Sequence, residues 1–598
     1  MKSEKKKQKI SPAVVRRLLR YVKPYRGWLI LSMLCAAGSV LFTLFTPVLT
    51  GDIIDLAIGA GNVRFSEFPR LLIELGVCVA ASAGLTLLGS YFNNRITYSC
   101  TADLRKKAFE HITGAPLSGI DRTPSGELIN RVTGDVDLVS DGLLQAFTQL
   151  LSGAATIIGT LVFMLRASGA VTISVVVLTP LSMVAAAVIA KGSYKYFTKQ
   201  TETQAEMLGY LDEYVGGARL VKTFGREEEA GKGFDEINGR LYKCGLRAQI
   251  YSALVNPTTR LVNNLVYAAV GVTGALIATG GSITVGQLSM FLTYASHYAK
   301  PFNEISGIAA QLTAALASAE RVFALIDSPL EYGGDPDTEA PRVPERTGEV
   351  ILDDVSFSYT KDRRLIENLC LTAKPGQRTA IVGPTGCGKT TIINLLMRFY
   401  DVNSGDIYAD GRNAYDMPRS ALRSRYAMVL QDTWLMRGSV ADNIGYGAEG
   451  ASRENIEQAA RRAMAHRFIR QLPQGYDTVI DDDDSLSGGQ KQLICIARVM
   501  LAAEMSRLHG SSAEPMLILD EATSNIDTRT ELLVQKAFAD LMRGRTSFVV
   551  AHRLSTIRES DMILVMNEGH VVEQGNHEQL LQKNGFYAKL WKTMTEEE

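Results

Sequence analysis

The sequence lacks an excess of charge of either sign, because 63 Lys and Arg residues balance 63 Asp and Glu residues. Proteins that bind nucleic acid usually carry a basic excess, so the balance gives no indication of a nucleic-acid partner. Cysteine is also scarce, with seven residues in 598 and none in a CxxC pair or a metal-ligand spacing. We therefore predict reduced, mostly buried thiols in a protein that faces the cytoplasm.

The N-terminus lacks the small-residue cleavage site of a secretory signal peptide, although it is strongly basic. Residues 1–27 contain ten Lys and Arg residues and one acid, Glu4. The apolar run that follows, 28–50, is too long for the apolar core of a signal peptide. We predict a basic, amphipathic helix over 1–27 that leads into a first transmembrane helix.

Long apolar runs are what the first half of the chain has in abundance. Each is about 20 residues long, enough to cross a bilayer as a helix. The runs are 28–50, 71–92, 146–166, 170–190, 261–279 and 285–307. The links after the second and fourth runs are long and basic, whereas the others are short. The positive-inside rule then places the N-terminus, both long links and everything after the sixth run in the cytoplasm.

The composition changes after the last apolar run, and the change predicts the domain boundaries. A stretch rich in proline, glycine and charge, 331–347, indicates a linker. The chain therefore divides into a basic helix (1–27), a transmembrane domain (28–330), the linker and an α/β domain (348–598). The predicted fold class is a six-helix membrane domain with long intracellular loops, fused to an α/β P-loop domain.

A phosphate-binding loop follows a β-branched strand in the second half of the chain. Gly383, Gly388, Lys389 and Thr390 match the P-loop spacing, and an amphipathic helix begins directly after them. Glycines at these positions let backbone N–H groups converge on phosphate oxygens, while the lysine reaches the β- and γ-phosphates. The predicted ATP-binding residues of this loop are Gly383, Pro384, Thr385, Gly386, Cys387, Gly388, Lys389, Thr390 and Thr391.

A second apolar strand, "MLILDE" at 516–521, ends in two acids. Asp520 is placed to hold Mg²⁺ together with the hydroxyl of Thr390. Glu521, one residue later, is placed to polarise the attacking water. The two motifs together predict an ATP hydrolase with ATP and Mg²⁺ as cofactors.

Between these motifs lies "LSGGQ", and with it the chain resembles the ATP-binding cassette (ABC) transporters, specifically the exporter-type half-transporters. The resemblance covers nearly the whole chain. It implies that two such domains meet head to tail and that each signature loop closes over the γ-phosphate bound by its partner. The signature residues that would act in trans are Ser487, Gly488, Gly489 and Gln490.

The resemblance also assigns roles to residues outside these motifs. Tyr359 matches the aromatic residue that stacks on adenine, and Gln431 matches the glutamine that contacts Mg²⁺ and the attacking water. His552 matches the histidine that contacts the γ-phosphate. The segments 121–137 and 214–230 resemble the two intracellular loops whose short coupling helices dock on the ATPase domains.

The chain departs from the family pattern in two places. "TVIDDDDS" stands before the signature, and its acidic run Asp481–Asp484 is either a solvated turn or a contact for basic loop residues such as Lys222 and Arg226. Residues 502–515 exceed the usual turn after the signature helix, and we interpret them as a surface insertion.

The resemblance implies an inner-membrane transporter that works by alternating access as a dimer and exports amphipathic small molecules or lipids. An importer built on the same fold, for example for metal chelates, and an ATP-gated regulatory subunit are the alternatives. A soluble ABC ATPase is excluded in practice by the six apolar runs. The partners are the bilayer, the transported molecule and a second half-transporter. Chemistry permits a homodimer, but "EATSNIDTRTE" resembles the consensus-site subunit of heterodimeric exporters and favours a heterodimer.

Ionisable residues in the sixth apolar run indicate where a substrate path could lie. His297, Lys300 and Glu304 recur at helical spacing and so share one helix face. Ionisable groups within a span usually face the interior of a bundle or an aqueous cavity. The alternative is an i,i+4 ion pair between Lys300 and Glu304.

Overall fold

The computed structural model describes most of the chain, and the described residues form two compact units. The helical unit comprises the residues up to Thr113 together with Ser125–Ser328, and the sheet unit comprises Gly114–Pro124 together with the residues from Pro329 onward. The described ranges are 12–58, 63–331, 347–360, 364–431, 433–448, 450–481, 486–508, 515–520, 527–551 and 553–597.

The helical unit is built from long helices, and each of the six apolar runs lies in helical backbone. The run at 146–166 begins with a π-helical turn, Ala146–Leu150. The helices of this unit are α1 (Pro12–Val22), α2 (Arg26–Ala57), α3 (Phe68–Thr113), α5 (Ser125–Val132), α6 (Gly134–Gln145), α7 (Leu151–Ala167), α8 (Gly169–Gly216), α9 (Ala218–Phe224), α10 (Glu227–Thr279) and α11 (Val285–Ile326). A short helix, α4 (Leu117–Ile120), belongs to the sheet unit.

Four helical stretches of the described residues are long and apolar enough to cross a membrane: Pro12–Ala57, Phe68–Thr113, Ser125–Ala167 and Arg260–Thr279. The remaining two apolar runs are helical as well, within α8 and α11.

Buried polar contacts fix the helices of this unit to one another. Tyr294 on α11 is fully buried, and its hydroxyl donates to the carbonyl oxygen of Leu44 on α2 at 2.6 Å. Farther along α11, Arg321 donates to the buried carboxylate of Asp135 on α6 at 2.9 Å. A buried donor and acceptor that satisfy each other specify which faces meet.

The described residues of the sheet unit form three sheets. A six-stranded sheet has the order β12-β11-β3-β10-β9-β6 and is parallel except for the β11–β12 pair, and a four-stranded antiparallel sheet has the order β2-β1-β4-β5. The third sheet pairs β7 with β8. The strands are β1 (Val350–Phe357), β2 (Ile366–Ala373), β3 (Arg378–Val382), β4 (Ser404–Ala409), β5 (Arg412–Asn413), β6 (Tyr426–Val429), β7 (Gly438–Ser439), β8 (Val479–Ile480), β9 (Met516–Asp520), β10 (Ser547–Val550), β11 (Met562–Asn567) and β12 (His570–Gly575).

Ten helices in the described part of the sheet unit bury apolar residues in two clusters that they share with the strands. In chain order they are α12 (Lys389–Leu396), α13 (Arg419–Arg423), α14 (Val440–Gly445), α15 (Arg453–Arg462), α16 (His466–Ile469), α17 (Gly488–Leu508), α18 (Thr528–Met542), α19 (Leu554–Arg558), α20 (His577–Gln582) and α21 (Phe586–Glu597). A parallel strand with helices on both faces is buried along its whole length. All five positions of β9 are buried, and this burial explains the apolar run that precedes Asp520.

The cysteines agree with the prediction of buried thiols, and the segment interpreted as a surface insertion is partly helical. All seven cysteines are free, and most are buried, as predicted; Cys370 on β2 is exposed. The first half of the interpreted insertion is helical, because α17 continues to Leu508. Residues 509–514 lie outside the described part of the chain.

Candidate ATP-binding site

The loop between β3 and α12 has the backbone conformation that phosphate binding requires. Gly386 and Gly388 have φ angles of +81° and +104°, a region that residues with a Cβ rarely enter. At Gly383 a Cβ would lie 2.2 Å from the carbonyl oxygen of Met566, so only glycine fits there. The loop ends in the first turn of α12, where backbone N–H groups point outward from the helix. It can therefore hold an anionic ligand with main-chain donors.

Lys389 places a positive charge over this loop. Its side chain is 7% exposed, and its ammonium group donates to the carbonyl oxygens of Gly383 at 2.7 Å and Pro384 at 3.0 Å. Cys387 is also buried, and burial raises the pKa of its thiol, which stays protonated at neutral pH. The loop therefore offers one fixed cation and main-chain donors, and no thiolate that would repel phosphate.

Seven of the ten predicted ATP-binding residues line one open cavity of about 710 Å³, whereas Gly383, Pro384 and Cys387 do not. The cavity joins the phosphate-binding loop and the start of α12 to four other segments, which contribute Tyr359 with Thr360, Leu365, Gln431 and Asp520. Its lining is Tyr359, Thr360, Leu365, Thr385, Gly386, Gly388, Lys389, Thr390, Thr391, Gln431 and Asp520. This volume suits a nucleotide, and the lining combines a ring, a cation and several oxygen donors.

Tyr359 stands at one end of this cavity and is held there by two hydrogen bonds. Its hydroxyl donates to Thr391 Oγ1 at 3.3 Å, and Asn394 Nδ2 donates to the hydroxyl at 3.2 Å. The residue remains 37% exposed. An anchored, partly exposed ring is the geometry that stacking on a base requires.

Sequence reasoning missed Tyr400, which packs edge-on against Tyr359 with ring centroids 4.9 Å apart. The Tyr400 hydroxyl donates to the carboxylate of Asp121, which follows α4 in the Gly114–Pro124 segment of the same unit. Burial and this carboxylate raise the pKa of Tyr400. No spacing rule links residues that lie 279 positions apart, so only the fold could reveal the pair.

Three oxygen donors in the cavity suit Mg²⁺. The Thr390 hydroxyl, the Gln431 amide and the Asp520 carboxylate all line it, and hard cations bind such oxygens. Asp520 is 4% exposed and ends β9, directly beside Val550 of β10. The two remaining predicted catalytic residues, Glu521 and His552, lie outside the described residues.

The signature residues begin α17 and do not line this cavity. Leu486 is buried, whereas Ser487 and Gly488 are exposed. The Ser487 N–H donates to Gln490 Oε1 at 3.1 Å, and the Gln490 N–H donates to Ser487 Oγ at 3.4 Å. Gln490 lines a different cavity, together with Arg529.

The acidic stretch and the residues of the sixth apolar run have defined neighbours. Asp481 accepts a hydrogen bond from Arg437 Nε at 2.7 Å, an ion pair that the sequence analysis did not consider. Asp482–Asp484 lie outside the described residues.

On α11, Lys300 and Glu304 form the anticipated i,i+4 ion pair at 3.7 Å, and His297 is half-buried.

Comparison with known proteins places this site in a family. A profile described as the ABC transporter transmembrane region matches residues 29–302, and one described as ABC transporter matches residues 366–524. The chain is 42% identical to a fatty acid ABC transporter ATP-binding/permease protein of Mycobacterium bovis over 547 residues, which are 91% of this chain and 84% of that protein.

Two further relatives extend the comparison over nearly the whole length. An ATP-dependent lipid A-core flippase of Pseudomonas syringae pv. tomato is 35% identical, covering 96% of this chain and 95% of its own. The structure of a bacterial Atm1-family ABC exporter with ATP bound superposes with a TM-score of 0.77 at 27% identity, covering 98% of this chain and 99% of that one. The chain therefore belongs to the ABC transporters, as an exporter-type half-transporter in which a multi-pass membrane region is fused to the ATPase that drives transport.

Proposed function

We propose that this protein exports an amphipathic lipid or lipid-like small molecule across the inner membrane by alternating access. The observation that carries the proposal is the fusion of a helical unit with six apolar runs to a domain whose phosphate-binding loop lines a nucleotide-sized cavity. Support for the substrate class comes from the relatives, since one is named for fatty acids and another for the lipid A core. We place the N-terminus and the ATPase in the cytoplasm, on the charge of the long links.

ATP would bind with its base on Tyr359 and its phosphates on the loop around Lys389. Thr390, Gln431 and Asp520 would hold Mg²⁺, which supplies positive charge beside the β- and γ-phosphates. Hydrolysis itself does no covalent work on the substrate, so its free energy must act through a difference in affinity between conformations.

We further propose that Glu521 polarises the attacking water and that His552 contacts the γ-phosphate. The signature residues Ser487–Gln490 would complete the partner's site, which agrees with their position away from the cavity formed by their own chain. A nucleotide site completed in trans makes dimerisation a requirement for turnover.

We propose a different half-transporter as the partner, on the resemblance of "EATSNIDTRTE" to the consensus-site subunit of heterodimeric exporters. In such a pair Glu521 would serve one competent site. The chain expressed alone should then be poorly active and should gain activity with a co-expressed half-transporter. A stable, substrate-stimulated ATPase from the single chain, with two equivalent ATP sites per dimer, would contradict the heterodimer.

The path for the substrate would pass the face of α11 that carries His297 and Lys300. Cysteines introduced at these two positions should react with a polar thiol reagent added from the cytoplasmic side of nucleotide-free protein. Cys370 is exposed and needs replacement first. Inert cysteines at both positions would place this face against another helix.

Reconstitution tests the transport function directly. The purified complex of this chain with its co-expressed half-transporter, reconstituted in vesicles, should hydrolyse ATP faster with long-chain fatty acids or acylated glycolipids than with hydrophilic solutes. Fluorescent analogues of the stimulating class should move between leaflets only with ATP. The Glu521→Gln variant, which keeps the phosphate-binding loop, is the matched control. Stimulation by metal chelates with ATP-driven movement toward the cytoplasm would support an importer instead.

A further inference from the structure

Helix α1, which directly precedes the first apolar run, is held firmly on one side. Leu18 and Val22 are buried in an apolar cluster with residues of α3 and α11. The guanidinium of Arg17 lies 4.3 Å from the ring centroid of Phe323 and donates to Asp327 at 2.7 Å. Helix α1 is therefore an integral element of the helical unit, joined to the end of α11.

The opposite side of α1 is exposed and is itself divided into two stripes. At 100° per residue, Arg16 and Arg20 lie about 40° apart on α1. Both are exposed, as is Lys23, which begins the 3₁₀ turn Lys23–Tyr25 that directly follows the helix. Val15 and Leu19 form the neighbouring stripe, 36% and 56% exposed. An apolar stripe beside a basic one is the pattern of a helix that lies in the membrane interface.

Among the described residues, no acid forms an ion pair with Arg16, Arg20 or Lys23 of the basic stripe. Glu4 is the only Asp or Glu in the sequence before Asp52. Within the described part of the chain, Arg17 pairs with an acid, whereas neither Arg16 nor Arg20 forms an ion pair. The charge of the stripe is thus available to an anion outside the protein. Because the first apolar run follows α1 closely, such an anion would lie at the membrane surface.

We propose that the exposed face of α1 binds anionic phospholipid and that this binding regulates the ATPase. Arg16, Arg20 and Lys23 contact the negatively charged headgroups while Val15 and Leu19 enter the acyl boundary. Arg17, one position from the stripe, holds Asp327 just beyond the end of α11. Lipid bound on one side of α1 therefore acts on the C-terminal end of the membrane helices through a residue on the other side.

The experiment compares the full-length chain, in complex with its co-expressed half-transporter, in nanodiscs of phosphatidylcholine with and without phosphatidylglycerol. The variant Arg16→Gln/Arg20→Gln/Lys23→Gln removes the stripe. Lys583→Gln/Lys589→Gln/Lys592→Gln makes the same charge change at exposed positions of the sheet unit. Native mass spectrometry counts retained phosphatidylglycerol, and ATPase assays measure the response. Each basic residue near a charged surface strengthens association roughly fivefold.

We expect wild-type protein and the Lys583 control to retain phosphatidylglycerol and to change ATPase rate several-fold with it. The stripe variant should lose at least about tenfold in preference, with its rate in phosphatidylcholine unchanged. Arg16→Lys/Arg20→Lys should keep the preference, which separates charge from folding. Equal retention by the stripe variant overturns the binding site, and an unchanged ATPase response in Arg17→Gln overturns the coupling. Competition by soluble glycerol phosphate would identify a free-anion site instead of a membrane surface.

Discussion

Asp55 and Gly286 are joined by a 2.7 Å hydrogen bond in which the carboxylate accepts from the backbone N–H at the start of α11. The hydroxyl of Thr284 donates to the same carboxylate at 2.6 Å. The last turn of α2 therefore caps the first turn of α11 with a negative charge, where the helix dipole favours one. The backbones lie so close that a Cβ on Gly286 would be 2.0 Å from the carbonyl oxygen of Gly51.

Gly286→Ala should separate the ends of these two helices. The added Cβ would meet the Asp55 carboxylate and the backbone of Gly51, and the backbone cannot move aside easily. Overpacking of this kind costs about 1–3 kcal/mol. Thermal unfolding of the purified protein in detergent should show a lower midpoint. Gly271→Ala is the control, because its Cβ would lie 3.7 Å from Leu292 Cδ2 in ordinary contact. Equal midpoints for the two variants would show that α2 and α11 are not tightly apposed.

Tyr400→Phe should separate nucleotide binding from the response to substrate. The ring that supports Tyr359 is retained, so the KM for ATP should change little. The hydrogen bond to Asp121 is lost, and a bond to a charged group contributes about 1.5–3 kcal/mol. Substrate-stimulated ATPase activity should therefore fall while basal activity persists. Tyr400→Ala should in addition raise the KM for ATP, because Tyr359 loses its packing.

Tyr408→Phe on β4 controls for the loss of a tyrosine hydroxyl elsewhere in the same unit. Asp121→Asn should reproduce the Tyr400→Phe phenotype, and the double variant should be no worse than either single one if the two residues act as a pair. A Tyr400→Phe protein with wild-type stimulation would remove any functional role for the contact.

The contacts of His577 lead us to expect that the C-terminal region loses stability at acidic pH. Its Nδ1 lies 2.7 Å from the Tyr587 hydroxyl, and its ring centroid is 4.4 Å from that of Trp591. Burial, with Arg558 nearby, lowers the pKa of His577. The folded state therefore resists protonation more than the unfolded state does, whose histidine pKa is about 6.5. This contribution to stability is complete above that value and is lost as the pH falls below it.

Trp591 is one of three tryptophans, so Trp28→Phe/Trp434→Phe protein reports on this region alone. Its thermal midpoint, followed by fluorescence, should fall between neutral pH and pH of about 5.5. His577→Gln should flatten part of that fall. His466→Gln is the informative comparison, because His466 has the same 2.7 Å contact with a tyrosine, Tyr476, and a lowered pKa, but in another part of the unit. Equal pH dependence with and without His577 would contradict the assignment.

Hydropathy located the membrane helices but not their lengths. The run 71–92 lies within α3, which is 46 residues long. The run 261–279 forms the C-terminal end of α10, a helix of 53 residues. A hydropathy window detects the part of a helix in lipid, whereas the charged continuation is helical because its residues favour helix and its backbone groups pair internally. Pro257 lies inside α10 without ending it. A proline alone therefore does not predict where this helix ends.

The nucleotide residues could be predicted because phosphate chemistry fixes both residue type and spacing. The motif specifies glycine at 383 and 388, where the backbone requires it, but leaves position 386 open although Gly386 also has a positive φ angle. Tyr400 and the Asp481–Arg437 pair could not be found in this way. Their partners are brought together by the packing of distant elements, and neither position needs a particular residue type for local backbone reasons.

Glu521→Gln tests the hydrolytic assignment, which rests on the family motif and on the position of Asp520 at the end of β9. The amide cannot accept a proton from water, whereas the phosphate-binding loop and the oxygen donors of Thr390 and Asp520 are unchanged. Turnover should fall about 10²–10⁴-fold, as loss of a general base implies, while ATP binding persists and ATP-bound protein accumulates. Equilibrium binding of labelled ATP and single-turnover release of phosphate separate the two effects. Glu578→Gln, an exposed glutamate on α20, should behave as wild type. ATPase activity in Glu521→Gln close to that of Glu578→Gln would require another residue to activate the water.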